Sequence, residues 1–341
     1  MANTGKIRLN MLGLPVIETI EDFSKLTHIS SLTIFKLSQF SDKFYRTYEI
    51  PKKNGKTRQI SQPSKKLKGL QAWILNNILN KLKVSSSSKG FTKGASIIDN
   101  AKPHMGANAI MTIDIENFFG KITRNKVFNI FSSIGYNNKI STIFTNLCVY
   151  KDSLPQGGPC SPQLSNLASW GLDVRLQGYV GSRTITYTRY ADDLTFSGQN
   201  HVKLVRSFSF IKKIINNESF EINDSKTRIA GASRAKIVTG LVLAEDSVGI
   251  GRKKYKLLRS KLHHLAIDKT TNSRHSIYHI NGWLAYLKNV DIVRFKKTCS
   301  YIVKLQSKFP AALINQISIP SQREVNKKTN LTDLAIILEG E

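Results

Sequence analysis

Cysteine is scarce in this sequence, and acidic residues are far fewer than basic ones. Cys148, Cys160 and Cys299 are the three cysteines, odd in number and far apart. They form neither a disulfide framework nor a CxxC metal knuckle, which points to a reducing compartment. Long apolar runs are missing: nothing approaches the roughly 18 consecutive apolar residues of a membrane span. Met1 to Asn10 lacks the apolar stretch of a secretory leader. A cytoplasmic protein without membrane attachment is therefore expected. Repeats and long low-complexity tracts are also missing. Asp plus Glu number 23 against 51 Lys plus Arg, a formal net charge of +28 over 341 residues. That surplus disfavours mimicry of acidic proteins and makes a polyanion the expected ligand.

What is present is globular. Hydrophobic residues make up 40% and charged residues 22%, enough to exclude a largely disordered chain. The length suits roughly two domains of about 150 residues each. Residues 1–45 read as helical, with Leu26, Ile29, Leu32, Ile34 and Phe35 as a rough stripe. Tyr48 to Ile60 reads as two short strands around an Asn54-Gly55 turn. Gln62-Pro63-Ser64 opens a helix in which Leu67, Leu70, Trp73, Ile74, Ile78 and Leu82 keep helical spacing. Ser85 to Lys89 is a polar loop. Ile110 to Ile115 alternates like a buried strand, and a helix is expected from Arg124 to Gly135. The Pro- and Gly-rich stretch Leu154 to Pro162 is a loop, with a helix to about Gln177. Thr184 to Phe196 reads as a hairpin, Lys203 to Asn217 as an amphipathic helix, and Ala235 to Ile250 as strand, turn, strand. From Arg252 onward the chain is helical and basic. This alternation predicts an α+β fold with helical ends.

The segment Tyr187-Thr-Arg-Tyr-Ala-Asp-Asp-Leu-Thr-Phe196 is the most informative. Adjacent residues on a flat strand point to opposite faces, so Asp192 and Asp193 can serve one site only at a tight turn. A third acid, Asp114, interrupts the apolar strand Ile113-Asp-Ile115. Carboxylates in apolar settings cost free energy unless they meet a cation. Oxygen ligands of this kind suit Mg²⁺ or Mn²⁺, and two such ions can serve phosphoryl transfer. The plainer alternative is an Asp-Asp turn with an unrelated capping acid.

At these residues the sequence resembles a known family. Tyr190-Ala-Asp-Asp193 resembles the YxDD box of reverse transcriptases. Ile113-Asp-Ile-Glu-Asn-Phe-Phe119 resembles the box that holds their first catalytic aspartate. Ser153-Leu-Pro-Gln-Gly-Gly-Pro-Cys-Ser-Pro162 resembles the LPQG segment between them, in the family's order and spacing. Asn100-Ala-Lys-Pro-His104 resembles the NAxxH element of bacterial retron reverse transcriptases, and Val238-Thr239-Gly240 their VTG triplet. Ile50-Pro-Lys-Lys-Asn-Gly, Gly90-Phe-Thr-Lys-Gly-Ala-Ser and Val248-Gly-Ile-Gly-Arg-Lys-Lys-Tyr add to the likeness. It runs from about residue 8 to about residue 310.

The resemblance implies a right-hand polymerase fold. Fingers would occupy 1–105 and about 125–165, the palm 106–240 with an antiparallel sheet, and a helical thumb 241–310. Residues 311–341 would form a tail without an assigned role. It further implies catalysis by Asp114, Asp192 and Asp193, which with the carbonyl of Ile115 would bind two Mg²⁺ ions, Mn²⁺ being an alternative. Phe119 would exclude a ribose 2′-hydroxyl unless it is simply a core residue beside Phe118. Gln156 would line the incoming nucleotide. Arg58 and one of Lys52 or Lys53, with Lys53 the candidate, would reach the triphosphate. Lys226 would act as the late palm lysine, a surface lysine being the alternative. Gly55-Lys56-Thr57 is not a Walker A loop, because the required first glycine is Ile50.

For RNA binding, the resemblance implicates Asn100 and His104, whose element could instead serve a retron-specific surface, an isolated histidine being more often structural. It also implicates Val238, Thr239 and Gly240, and a thumb helix with Arg252, Lys253, Lys256 and Lys261 outside, a solvated charged face being the alternative. That helix would pack through Tyr255, Leu258, Leu262 and Leu265, with Trp283, Tyr286 and Tyr301 in the thumb core or stacking on bases. The implied reaction copies a structured non-coding RNA of the msr–msd type into DNA from dNTPs. Priming from a guanosine 2′-hydroxyl would give a branched RNA–DNA product, msDNA. Implied partners are a separate effector protein in anti-phage defence and a host RNase H, since no such domain is fused here. The alternatives are another bacterial reverse transcriptase, of the group II intron or diversity-generating type, or a non-catalytic RNA scaffold.

Overall fold

In a computed structural model, residues 2–51, 55, 57–267 and 273–319 are described. The chain divides into two compact units. The first comprises Met1–Thr239 and Leu243–Ser247. The second comprises Gly240–Val242 and the chain from Val248 onward. No helix among the described residues is long and apolar enough to cross a membrane.

The first unit opens with helices α1 (Ala2–Met11), α2 (Ile20–Thr27) and α3 (Ser31–Gln39). The expected stripe holds only in part: Ile34 is buried and Ile29 half-buried, but Leu26, Leu32 and Phe35 are exposed, and Phe23 and Leu37 take their place in the core. Thr19 and Asp22 form a capping box at α2 and Ser30 caps α3. These caps satisfy first-turn amides and fix where each helix starts, and His28 at φ +55° separates the two. Strands β1 (Tyr45–Pro51) and β2 (Thr57–Pro63) pair as an antiparallel ribbon, with Tyr48 opposite Ile60. Helix α4 (Lys65–Asn77) buries Leu67, Leu70 and Ile74. A short α5 (Ile97–Ala101) precedes β3 (Ala109–Asp114), and α6 (Arg124–Ser133) and α7 (Asn138–Cys148) follow. Phe144 of α7 receives the rings of Phe23, Phe131 and Tyr136 edge-on, at centroid distances of 5.0, 5.3 and 5.1 Å. Such pairs add about 0.5–1.5 kcal/mol each beyond burial.

The single helix expected after the Pro-Gly loop is two, α8 (Ser161–Ala168) and α9 (Trp170–Gly181), broken at Ser169. Strands β4 (Thr186–Tyr190) and β5 (Asp193–Gly198) form the expected hairpin, α10 (His201–Asn217) follows, and β6 (Arg228–Ala230) completes an antiparallel sheet. Its order is β4-β5-β3-β6. Helix α10 packs on β3 and β5, and α9 on β4, so one face of the sheet is covered by helices. The polar segment Ser85–Lys89 is not a solvated loop. Ser88 bridges Arg189, and the serines at 85, 87 and 88 are buried with their backbone against β4.

Short strands β7 (Ile237–Val238), β8 (Leu241–Leu243) and β9 (Val248–Gly249) lead into three helices: α11 (Gly251–Ile267), α12 (Ser273–Val290) and α13 (Ile292–Lys308). Their shared core is Leu258, Leu262, Ile280, Leu284, Leu287, Phe295 and Ile302. Trp283, Tyr286 and Tyr301 are only half-buried at its margin.

Candidate active site

Strand β3 delivers its last residue, Asp114, directly opposite Asp193, the first residue of β5. Directly opposed residues on neighbouring strands have Cβ atoms roughly 5 Å apart. Asp192 immediately precedes Asp193, in the two-residue β4–β5 turn closed by the Tyr190–Asp193 pair, and its carbonyl accepts from the Ile115 amide at 2.9 Å. The turn works because Ala191 takes φ +58°, the glycine-favouring value of the first position in a primed hairpin turn. An alanine there is strained, so the surroundings must hold it.

They do so through a buried polar network. Arg189 and Asp173 are fully buried and form a two-pronged ion pair at 2.8 and 2.7 Å. Asp173 also accepts from the Tyr187 hydroxyl at 2.8 Å. The remaining Arg189 nitrogen, Nη1, donates to the Asn166 side chain at 3.1 Å and to the Ala191 carbonyl at 3.3 Å. On the other side Gly90 lies so close that a Cβ there would sit 2.5 Å from the Ala191 amide nitrogen. Arg189, Asp173 and Gly90 were not singled out from the sequence. The signal for Arg189 was a charged residue among strand-forming Tyr187, Thr188 and Tyr190, and for Asp173 the one acid on α9.

Electrostatics follow from this crowding. Desolvation, then the neighbouring charges of Asp192 and Asp114, pushes the Asp193 carboxyl up to about 6. Asp192 is also raised, by burial first and by Asp114 second, with Lys226 and Arg58 acting against it. The Lys226 ammonium lies on Asp114, 2.7 and 2.9 Å from its two carboxylate oxygens. This hydrogen bond is the main reason the lysine's own pKa is raised. Among the described residues no three His, Cys, Asp or Glu side chains form a finished metal cage. The donor set nevertheless fits a hard divalent cation: three carboxylates in mutual repulsion, with an ammonium standing in as the cation. The Ile115 carbonyl accepts no hydrogen bond among the described residues, which leaves it free as a fourth oxygen.

The other expected residues are placed as follows. Phe119 is half-buried, edge-on to Phe118 at 5.6 Å and tilted toward Phe91 at 6.2 Å. Phe91, part of the Gly90–Ser96 box and given no role of its own from the sequence, is an exposed aromatic with φ +60°. Gln156 is half-buried, and its carbonyl accepts from the Ser61 amide at 2.8 Å. Its neighbour Gly157 has φ +125°, and a Cβ there would meet the Ser61 carbonyl oxygen at 2.9 Å. That bare backbone docks the Pro-Gln-Gly loop against β2, the strand that carries the exposed Arg58. Lys52 and Lys53 lie outside the described residues.

Three expected RNA contacts are corrected. Asn100, His104 and Val238 are fully buried, so their side chains offer no surface to an RNA. His104 instead bridges the sheet, Nδ1 to the Ser197 hydroxyl at 2.6 Å and Nε2 to the Thr188 hydroxyl at 2.8 Å. Burial pushes its pKa down to about 4, so it stays neutral. Thr239 is half-buried and donates to the Ile97 carbonyl, while Gly240 is exposed with φ +80°. In the second unit, Arg252, Lys253, Lys256 and Lys261 stand exposed on α11, which turns Leu258, Leu262 and Leu265 inward. None of the four pairs with an acid among the described residues.

Comparison with known proteins agrees with this geometry. Residues 50–258 match the family described as reverse transcriptase (RNA-dependent DNA polymerase). The retron Ec86 reverse transcriptase of Escherichia coli is 47% identical over 311 residues, covering 91% of this chain and 96% of that one. The retron Mx65 reverse transcriptase of Myxococcus xanthus is 32% identical over 303 residues, covering 82% and 70%. A solved telomerase from Candida albicans, in complex with a fragment of telomeric RNA, shows only a distant likeness in shape. Its TM-score is 0.43 at 9% identity, over 77% of this chain and 59% of that one. The paired acids, the loops that seat them and the likeness along almost the whole chain together show that this protein belongs to the reverse transcriptase family, as a retron reverse transcriptase with the right-hand polymerase fold and RNA-directed DNA polymerase activity.

Proposed function

We propose that the chain copies part of a cognate structured non-coding RNA of the msr–msd type into DNA, starting from a guanosine 2′-hydroxyl of that RNA. The product is the branched RNA–DNA molecule msDNA. The observation that carries the chemistry is the apposition of Asp114 and Asp193 across neighbouring strands, with Asp192 beside Asp193 in the β4–β5 turn. In this reading residues 1–105 and about 125–165 act as fingers, 106–240 as palm and 241–310 as thumb.

Asp114, Asp192, Asp193 and the Ile115 carbonyl hold two Mg²⁺ ions, for which Mn²⁺ can substitute. When bound, these ions make the attacking hydroxyl more acidic and neutralise charge on the phosphates. The protein supplies position. Phe119 sits under the sugar and rejects a 2′-hydroxyl by contact, Gln156 lines the nucleotide, and Arg58 with Lys53 grips the triphosphate. The charge influence of Arg58 at Asp192 supports its place there. Lys226 gives up Asp114 to the incoming cation and presents its proton to the departing pyrophosphate. Arg252, Lys253, Lys256 and Lys261 contact RNA phosphates, with Thr239 and Gly240 nearby in sequence. The likeness to retron enzymes supports a cytoplasmic setting, a separate effector protein in anti-phage defence, dNTPs as substrates and a host RNase H that trims the template.

The test is to express the chain with the structured RNA encoded beside its gene and to sequence the nucleic acid that co-purifies. A short, defined DNA joined to RNA through a 2′-linkage is expected, and its loss in Asp193→Asn. Unlinked or heterogeneous DNA, or wild-type extension by Asp193→Asn, would overturn the proposal.

A further inference from the structure

Helices α9 and α10 cover the sheet with their inner sides and leave a groove between their outer sides. Tyr179 forms its middle. Phe210 stacks on that ring at 4.3 Å with the planes 27° apart, and the Arg183 guanidinium lies 4.0 Å from the same ring centre. Two groups this close to one ring must take opposite faces. On one side of Tyr179 an open hollow of about 440 Å³ is bordered by Val174, Gly178 and Phe210. On the other side a hollow of about 230 Å³ is bordered by Val202 and Arg206.

The groove has two contrasting qualities. Val174, Val202 and Phe210 are 54%, 55% and 46% exposed, large values for apolar side chains lying along one groove. Arg183, Lys203, Arg206 and Lys213 also line it, no Asp or Glu does, and none of these four cations pairs with an acid among the described residues. The groove's fifth cation, Arg175, is already held by Glu218 at 2.7 Å.

An occupant must answer both qualities. A nucleic acid answers the charge only. Both faces of Tyr179 are taken, so no base can stack there, and valines offer a nucleotide neither stacking nor hydrogen bonds. A protein segment with Asp or Glu on both sides of an aromatic or branched apolar residue answers both. We infer that the α9–α10 groove docks an acidic segment of a protein partner, which inserts an apolar anchor beside Phe210. The inference does not depend on the polymerase reading, because the groove lies on the far side of the helices from the sheet.

Gly178 provides the test. A Cβ there meets nothing within 4 Å, so Gly178→Leu plugs the groove while leaving the fold alone. A random short-peptide display library is panned on the full chain, with counter-selection on Gly178→Leu and primer extension measured on every variant. Acidic peptides with an aromatic or branched apolar residue are expected to be enriched. Their binding should fall by about tenfold or more in Gly178→Leu, Phe210→Ser and Lys213→Glu, with extension of a generic primer–template unchanged. Three results overturn the inference: no enrichment over the plugged variant, enriched peptides that lack acid, or a loss of single-stranded RNA binding instead of peptide binding in these variants. Should Gly178→Leu fail to fold, Phe210→Ser decides alone.

Discussion

Asp193 and His104 are both pushed away from their ordinary titration by burial, in opposite senses. The raised Asp193 carboxyl favours its neutral form. Without metal its contribution to stability is present below the ordinary carboxylate range and is lost as pH rises toward about 6. A cation needs the ionised form, so protons compete with Mg²⁺. Below about pH 6 the Mg²⁺ concentration for half-maximal primer extension should rise by up to about tenfold per pH unit. An unchanged requirement between pH 7.5 and 5.5 would remove Asp193 from the metal site. His104 behaves in the reverse way. Its contribution is present above the unfolded value of 6.5 and is lost as pH falls through about 4. The full difference is about 3 kcal/mol. Denaturant unfolding at pH 7.5 and 5.0 should show wild type losing more stability than His104→Gln over that interval.

At the scale of elements, the hairpin turn is held by its neighbours rather than by its own sequence. Breaking the Arg189–Asp173 pair from one side should cost about 3–5 kcal/mol, because a charge is left buried and unpaired. Replacing both, as Arg189→Met with Asp173→Leu, should recover most of that stability. Activity should stay low, since the Ala191 carbonyl has lost its donor. Melting curves beside the kcat for primer extension separate the two effects, and a double variant with wild-type kcat would show that the pair serves stability alone. The hairpin and β3 were legible in the sequence because strand periodicity and paired acids mark them. The network was not, because Asp173 and Arg189 lie 16 residues apart on different elements and meet only by tertiary packing. The helix stripe near the start failed because His28, at φ +55°, ends α2 and Ser30 caps α3, so one helical period cannot run from Leu26 through Ile29 to Leu32. Of the two readings open for His104, the structural one fits its buried place between Ser197 and Thr188, because a family element names a residue without saying which side of the surface it occupies.

At the scale of the whole molecule, charge is the dominant fact. A net charge of +28 steers the chain toward polyanions before any specific contact forms. If the four exposed cations of α11 bind phosphates, RNA affinity should fall with salt on a log–log slope of about −3 from those contacts. Lys256→Ala should flatten the slope by somewhat less than about one unit, and fluorescence anisotropy across a salt series measures it. A slope indifferent to that change would place the RNA elsewhere. Composition made this steering charge readable from the sequence alone. The groove between α9 and α10 was not readable, because apolar and basic residues on two amphipathic helices look ordinary until both are folded side by side.

The ammonium seated on Asp114 has a consequence for how the protein rests between rounds of synthesis. With a tethered guest always at hand, the acidic centre need not suffer self-repulsion in a medium stripped of divalent ions. Chelator should therefore silence the enzyme while barely moving its melting temperature, whereas Lys226→Met should melt measurably earlier in chelator than in magnesium.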